Sequence, residues 1–201
     1  MAEVVAAANP LPLRDGDLLL VPAVNPGQPS ADIVQRLREE IPWRQESITL
    51  FGRTHMQPRL ICWMGDAGRA YRYSGRTWTP EAWHPLVADL RARIEAATGE
   101  RFNSVLLNLY GDGRDSMGFH ADDEPELGER PVIASLSLGA ERVMHFRHRH
   151  DRALPTHKLI LTDGSLLVMR GDTQANWKHA IAKTRRPVGP RINLTFRRIL
   201  G

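Results

Sequence analysis

A chain of 201 residues, 42% apolar and 25% charged, is long enough to bury one core and too evenly mixed to be disordered, fibrous or split by a break in composition. Its single cysteine, Cys62, excludes an internal disulfide framework, which suits a reducing compartment. The formal charge of +4 rests almost wholly on arginine, because Lys158, Lys178 and Lys183 are the only lysines, and arginine forks suit carboxylates and phosphates.

The opening "MAEVVAAANPLPLRDGDLLLVPAV" carries Glu3, has no basic leader, and is interrupted by Pro10, Pro12 and Pro22. Neither a signal peptide nor a membrane span fits it, so the expectation is a cytoplasmic protein with no membrane contact. Residues 1–27 read as an N-terminal extension of loop and short strand, ahead of a single domain over 28–201. Ile33, Leu37 and Ile41 recur every four residues and predict a helix over 31–41 with Ser30 as its N-cap. A second helix is expected to start near Thr79–Pro80, to bury Leu86, Leu90 and Ile94, and to stop at Gly99. Between them, 49–78 has no helical period and reads as short strands and loops, the kind of segment that carries binding residues.

From residue 103 the rhythm changes to short apolar segments at 104–110, 132–138, 142–148, 157–162, 165–170 and 192–199, punctuated by Gly, Asp and Pro. Six strands with no helix between them argue against a parallel α/β sheet and for an antiparallel sandwich or barrel, mostly β with flanking helices.

Within this region "GFHADDEPELG" sets His120 and Asp122 two residues apart. At a strand end, positions i and i+2 share a side, so an imidazole and a carboxylate can converge on one cation, with His179 as the third donor. Two histidines and a carboxylate form a facial set that leaves metal positions open, as in non-haem Fe(II) sites. By itself the pair fits a surface histidine beside a solvated acidic turn better than a metal site. The tail "RINLTFRR" places Arg191, Asn193, Thr195 and Arg197 on one face of a strand, with Ile192, Leu194 and Phe196 on the other. Inside a barrel the polar face needs an anion, such as a small dicarboxylate; on the outside it needs only water.

Together, "NLYGDGRDSMGFHADDEPELG", "SLSLGAERVMHFRHR", "DGSLLVMRGDTQANWKHAI" and "PRINLTFRRIL" resemble the AlkB family of Fe(II)- and 2-oxoglutarate-dependent dioxygenases, which repair alkylated nucleobases. The resemblance covers about residues 49–200 and is strongest from 103. It implies a double-stranded β-helix, or jelly roll, of the cupin kind over 103–200, and a nucleotide-recognition lid over 49–78. His120, Asp122 and His179 match the iron ligands. Arg191 and Tyr110 match the groups on the distal carboxylate of 2-oxoglutarate, Asn108 and Arg197 those around the carboxylate nearer the iron, and Asn193 a supporting neighbour. The implied reaction uses O2, converts 2-oxoglutarate to succinate and CO2, and frees the base from its alkyl group as formaldehyde.

On the substrate side, the resemblance aligns Tyr73 with an aromatic that sandwiches the flipped base against His120, Tyr71 with a hydrogen-bonding companion, and Glu124 with an acid at the exocyclic edge. Trp63 is an alternative stacker, or simply packing for the lid. Arg53, Arg59, Arg69 and Arg72 are candidate lid or phosphate contacts, as are Arg147, Arg149 and Arg152 at a hairpin tip. Phe51 in "LFG" resembles the finger with which duplex-preferring relatives fill the gap left by the flipped nucleotide, whereas "HMQPRL" resembles relatives that favour single strands. The expected substrate is alkylated DNA, such as 1-methyladenine or 3-methylcytosine, with RNA as a second possibility and the protein acting as a monomer. Hydroxylation of RNA or protein by the same chemistry, and a silent nucleic-acid binder, are the competing readings.

Overall fold

The computed structural model describes residues 8–50, 53–68, 71–73 and 76–200, and the side chains among these except at 48–50, 53, 71–73 and 76–78. Strands β1 (Asn9–Leu11) and β2 (Asp17–Val21) precede helix α1 (Ser30–Glu40). Next come β3 (Ser47–Leu50), β4 (Arg53–Met56), β5 (Leu60–Gly65), β6 (Tyr71–Tyr73), β7 (Arg76–Trp78) and helix α2 (Pro85–Thr98). The remaining elements are β8 (Ser104–Tyr110), β9 (Met117–His120), β10 (Ile133–Gly139), β11 (Arg142–His148), β12 (His157–Leu161), β13 (Leu166–Arg170), the single-turn α3 (Thr173–Asn176), β14 (Trp177–Ile181) and β15 (Arg191–Arg197).

Two antiparallel sheets organise them. The larger has the order β1-β2-β13-β10-β15-β8-β5 and the smaller β12-β11-β14-β9, while β3-β4 and β6-β7 form separate two-stranded ribbons. The larger sheet is covered on both faces, which explains why β2, β5 and β13 read as continuous apolar runs, whereas β10 and β15 alternate apolar with polar residues. Val105 and Leu107 of β8, Leu136 of β10, and Ile192, Leu194 and Phe196 of β15 pack with Ile33 and Leu37 of α1 and Leu90 and Ile94 of α2. On the opposite face Leu106, Ile133, Leu167 and Met169 pack with Met144, Phe146, Trp177 and Ile181 of the smaller sheet. The polar face of β15 therefore lies between the sheets, where Arg191, Asn193, Thr195 and Arg197 are all buried.

Several sequence expectations change. Residues 9–21 are not an appendage: β2 pairs with β13 along its whole length and extends the larger sheet. Helix α1 begins at Ser30, with Pro29 at the cap position, and the Ser30 hydroxyl bonds Asp163 Oδ1 (2.5 Å) in place of capping. Helix α2 starts at Pro85, not near Thr79, because a residue before proline is pushed to extended backbone. His84 is that residue, with ψ at 136°, and its Nδ1 accepts from Leu86 N (3.3 Å) as the N-cap. Gly99 ends the helix as expected, at φ 74°, a left-handed conformation that glycine adopts without a Cβ clash. Within 49–78, β5 belongs to the large sheet through its pairing with β8, so only the two ribbons stand apart from it.

Candidate metal centre and dicarboxylate pocket

β9 and β14 are paired so that His120 lies opposite His179. Their rings are 4.2 Å apart between centroids, and Asp122, two residues beyond His120, brings its Oδ2 to 3.6 Å from His179 Nε2. The donor atoms of His120, Asp122 and His179 all lie within 4.8 Å of one another, the one such three-residue cluster among the described residues.

Each donor is prepared by its neighbours. His120 Nδ1 bonds the Gly118 carbonyl (2.9 Å), which can only accept, so Nδ1 carries the proton and Nε2 keeps a lone pair for a metal. Asp122 is 2% exposed; its backbone N–H donates to Gln174 Oε1 (3.0 Å) and its Oδ1 accepts from Arg197 Nη2. Burial opposes ionisation of Asp122, but the Arg197 guanidinium, with the two imidazoles, outweighs it and holds the carboxyl below the usual range. Asp122 Oδ2 is buried with no hydrogen-bond partner. An ionised oxygen left bare beside two imidazoles fits a divalent cation, and the mixed nitrogen and oxygen set fits Fe(II).

Burial, reinforced by His120, pulls His179 down to about 3, so its ring is neutral and able to ligate. This has a sign. Between the ordinary imidazole value of 6.5 and about 3, the unfolded chain binds a proton at His179 that the folded chain does not, so stability is lost as pH falls through that window. Asp122, also depressed, contributes in the same direction at the acid end. Urea unfolding of the metal-free protein is therefore expected to show a lower midpoint at pH 5 than at pH 7, and equal midpoints would contradict a buried neutral His179.

The second half of the site comes from β8 and β15, which place Tyr110 opposite Arg191 and Asn108 opposite Asn193. Arg191 is 1% exposed and donates from Nη2 to Ser137 Oγ (2.9 Å), while its Nε and Nη1 are buried without a hydrogen-bond partner. Burial pulls its pKa down to about 10. Its Cζ lies 5.2 Å from the Tyr110 ring centroid. Two unmet guanidinium donors beside a buried phenol form a receptor for a carboxylate. Asn193 is satisfied internally, donating to Ser135 Oγ (2.8 Å) and Leu136 O (3.0 Å) and accepting from Thr195 Oγ1 (2.9 Å), so it supports the floor of the pocket.

Three placements differ from the sequence reading. Arg59 is not a lid or phosphate contact: it is 7% exposed and its Nε donates to Asn108 Oδ1 (2.7 Å) inside the site. Trp63 is not a lid stacker, since it sits on β5 and is buried in the core between the sheets with Leu106 and Tyr110. Arg197 bonds Asp122, so its guanidinium orients a donor carboxylate. His148 is buried, with Nδ1 accepting the backbone N–H of Asp151 (2.8 Å). Glu124 is half-buried at the head of a 3-10 turn (Pro125–Leu127), and its Oε2 is buried without a hydrogen-bond partner. Tyr71, Arg72 and Tyr73 lie on β6 and Arg53 on β4 with side chains outside the description, and Phe51 and Arg69 lie outside the described residues.

The sequence reading missed Gln174, which fixes the Asp122 backbone, and Ser135 and Ser137, whose hydroxyls accept from Asn193 and Arg191. A signal for the serines was present: "SLSL" alternates small hydroxyls with leucine, and a hydroxyl on the inner face of a buried strand needs a polar partner there.

Residues 10–197 match the family model of the 2OG-Fe(II) oxygenase superfamily. The chain is 42% identical over 175 residues to Alpha-ketoglutarate-dependent dioxygenase alkB homolog 3 of Homo sapiens, covering 83% of this chain and 60% of that protein's length. It is 40% identical over 184 residues to DNA oxidative demethylase ALKBH2 of Mus musculus, covering 87% of this chain and 77% of the relative. Among solved structures, OsALKBH1 superposes with a TM-score of 0.64 over 94% of this chain and all (100%) of that one, at 16% identity, a likeness of fold. With a superfamily match along nearly its whole length and relatives at such identity, the chain belongs to the AlkB family of the 2OG-Fe(II) oxygenase superfamily.

Proposed function

We propose that this protein removes alkyl groups oxidatively from N-alkylated bases in DNA, using Fe(II), 2-oxoglutarate and O2. The observation that carries the reading is the bare Asp122 Oδ2 between two imidazoles, on the same inter-sheet face as the unmet donors of Arg191. The names of the AlkB relatives, one of them a DNA oxidative demethylase, supply the substrate class.

In this reading His120, Asp122 and His179 hold the iron, which when bound supplies, with 2-oxoglutarate and O2, the power to hydroxylate an N-alkyl carbon as the cosubstrate becomes succinate and CO2. The hydroxylated carbon then leaves as formaldehyde. The chain's own contribution is binding and orientation. Arg191 and Tyr110 take the distal carboxylate, and Asn108, oriented by Arg59, serves the head-group end. Arg197 and Gln174 keep Asp122 ionised and aimed. Glu124 offers its unpartnered oxygen to an exocyclic amine, an interaction that a cationic methylated base strengthens. Tyr73 stacks the base against His120 with Tyr71 beside it, and Arg53, Arg69 and Arg72 of the segment 49–78 serve the phosphates. The two sheets form a double-stranded β-helix within one dioxygenase domain, which acts as a cytoplasmic monomer, with RNA as a second substrate.

The test is succinate release on matched single- and double-stranded oligonucleotides bearing 1-methyladenine, 3-methylcytosine or an etheno adduct, with formaldehyde release read on the two methylated bases, because the two-carbon etheno bridge would leave as glyoxal. Succinate release that no alkylated strand stimulates would remove the nucleobase reading. Strand preference has its own prediction. If Phe51 fills the gap left by a flipped base, Phe51→Ala lowers kcat/KM on a methylated duplex by about 5- to 100-fold and by less than about threefold on the single strand, because only the duplex loses stacking. Equal losses on both, with a lowered Tm, would make Phe51 a packing residue.

A further inference from the structure

Arg142, at the start of β11, is a buried cation that none of the roles above uses; it is 3% exposed. Its guanidinium donates to three main-chain carbonyls: Asp112 (3.2 Å), Asp115 (2.8 Å) and Ala182 (2.7 Å). The first two belong to the turn that leaves Tyr110, and the third follows the strand that carries His179. Carbonyl dipoles orient a guanidinium without neutralising it. The acids of the turn, Asp115 and Asp112, favour its charge only from a distance, since Asp112 Oδ2 bonds Arg114 Nη2 (2.7 Å) and Asp115 Oδ2 bonds Gly111 N (2.7 Å).

What makes this cation more than a tie is its position. Its Cζ is 5.6 Å from the Tyr110 ring centroid, and the Cζ of Arg191 is 5.2 Å from the same ring. Two buried guanidinia thus share one phenol, and none of the hydrogen bonds of either reaches a carboxylate. Burial lowers the pKa of both, and the charge of Arg142 lowers that of Arg191 further. A corner so charged and so dry is stabilised by an anion that enters it.

We propose that Arg142 is a positioning residue of the cosubstrate pocket: it fixes Tyr110 and the turn behind it, and adds its charge to that of Arg191 so that the pocket selects a 2-oxo acid bearing a distal carboxylate. This rests on the reading of Arg191 and Tyr110 as the distal-carboxylate receptor. Its distinct content is that Arg142 acts on the far end of the cosubstrate, through the ring, and not on the head group or the metal.

The experiment compares 2-oxoglutarate with 2-oxopentanoate, which has the same chain length and head group but a methyl in place of the distal carboxylate. Binding of each to the Co(II)-loaded protein is measured anaerobically by calorimetry. Wild type must favour 2-oxoglutarate; equal affinities there would defeat the receptor reading itself, whatever Arg142 does. Given that preference, Arg142→Met is expected to weaken 2-oxoglutarate roughly tenfold and 2-oxopentanoate less than about twofold, the size expected of a charge acting across a partly screened interior. Arg142→Lys should recover part of the loss. If Arg142→Met does not fold, Arg142→Gln, which keeps donors for the carbonyls and removes the charge, is read in the same way. Equal weakening of both ligands, or an unchanged 2-oxoglutarate affinity, overturns the proposal.

Discussion

Asp122→Ala is expected to abolish succinate and formaldehyde release at limiting iron, the largest loss of activity from any single substitution considered. The cause is the removal of the one anionic donor in the cluster, and with it the bare Oδ2 between the imidazoles. The same carboxylate faces Arg197 through Oδ1, and both groups are buried. Deleting one partner of a buried ion pair costs about 3–5 kcal/mol, so the alanine variant should also melt lower. Asp122→Asn separates the two effects: it keeps the volume and an acceptor for Arg197 while removing the anionic ligand. The expected result is a weaker Co(II) affinity and lost turnover in both variants, with the larger drop in Tm in the alanine form. His120→Ala, at a more exposed position, should lose activity with a smaller stability cost. Normal oxidation by Asp122→Asn at limiting iron would take Asp122 out of the metal site.

The second large effect is on cosubstrate affinity. Arg191→Met should raise the dissociation constant for 2-oxoglutarate by roughly 30- to 5,000-fold, corresponding to about 2–5 kcal/mol for truncating one side of a buried charged pair. The measurement is anaerobic, with Co(II) in the metal site, so that turnover does not enter. Stability should move the other way. With Nε and Nη1 unmet and burial lowering its pKa to about 10, Arg191 is a strained occupant of the ligand-free protein. Replacing it with an apolar side chain of similar length should leave the ligand-free Tm unchanged or raise it, as replacing buried charges by apolar groups often does. An unchanged 2-oxoglutarate affinity would contradict the receptor assignment. A fall in both affinity and Tm would instead make Arg191 a structural residue.

The two predictions rest on different depths of reading. The strand rhythm after residue 103 was legible because each segment is short, apolar and bounded by turn formers: 104–110 and 142–148 are the strands Ser104–Tyr110 and Arg142–His148. The alternation in "RINLTFRR" correctly separated an apolar face from a polar one, because side chains along a strand point to opposite sides whatever lies beyond them. The spacing of His120 and Asp122 offered only a candidate pair; the family resemblance joined His179 to it as one donor set, and the three do converge.

Period and spacing say which residues share a face; they do not say what that face meets. The polar side of β15 could have been wet, and only the packing of the smaller sheet against it makes Arg191 and Arg197 buried charges that need partners. Arg59 reads in sequence as one more lid arginine, yet it reaches Asn108 across 49 residues. Arg197 meets Asp122 across 75 residues, and Arg142 meets Ala182 across 40. The early helix start failed for a local reason, since His84 before Pro85 cannot be helical, and the supposed extension failed for a distant one, since β2 finds its partner in β13. The sequence by itself determined the faces, the donor set and the family. The tertiary structure decided which charges are dry, and in this protein dryness separates a surface arginine from one able to receive a carboxylate, because only a desolvated guanidinium gains strongly from the arrival of that anion.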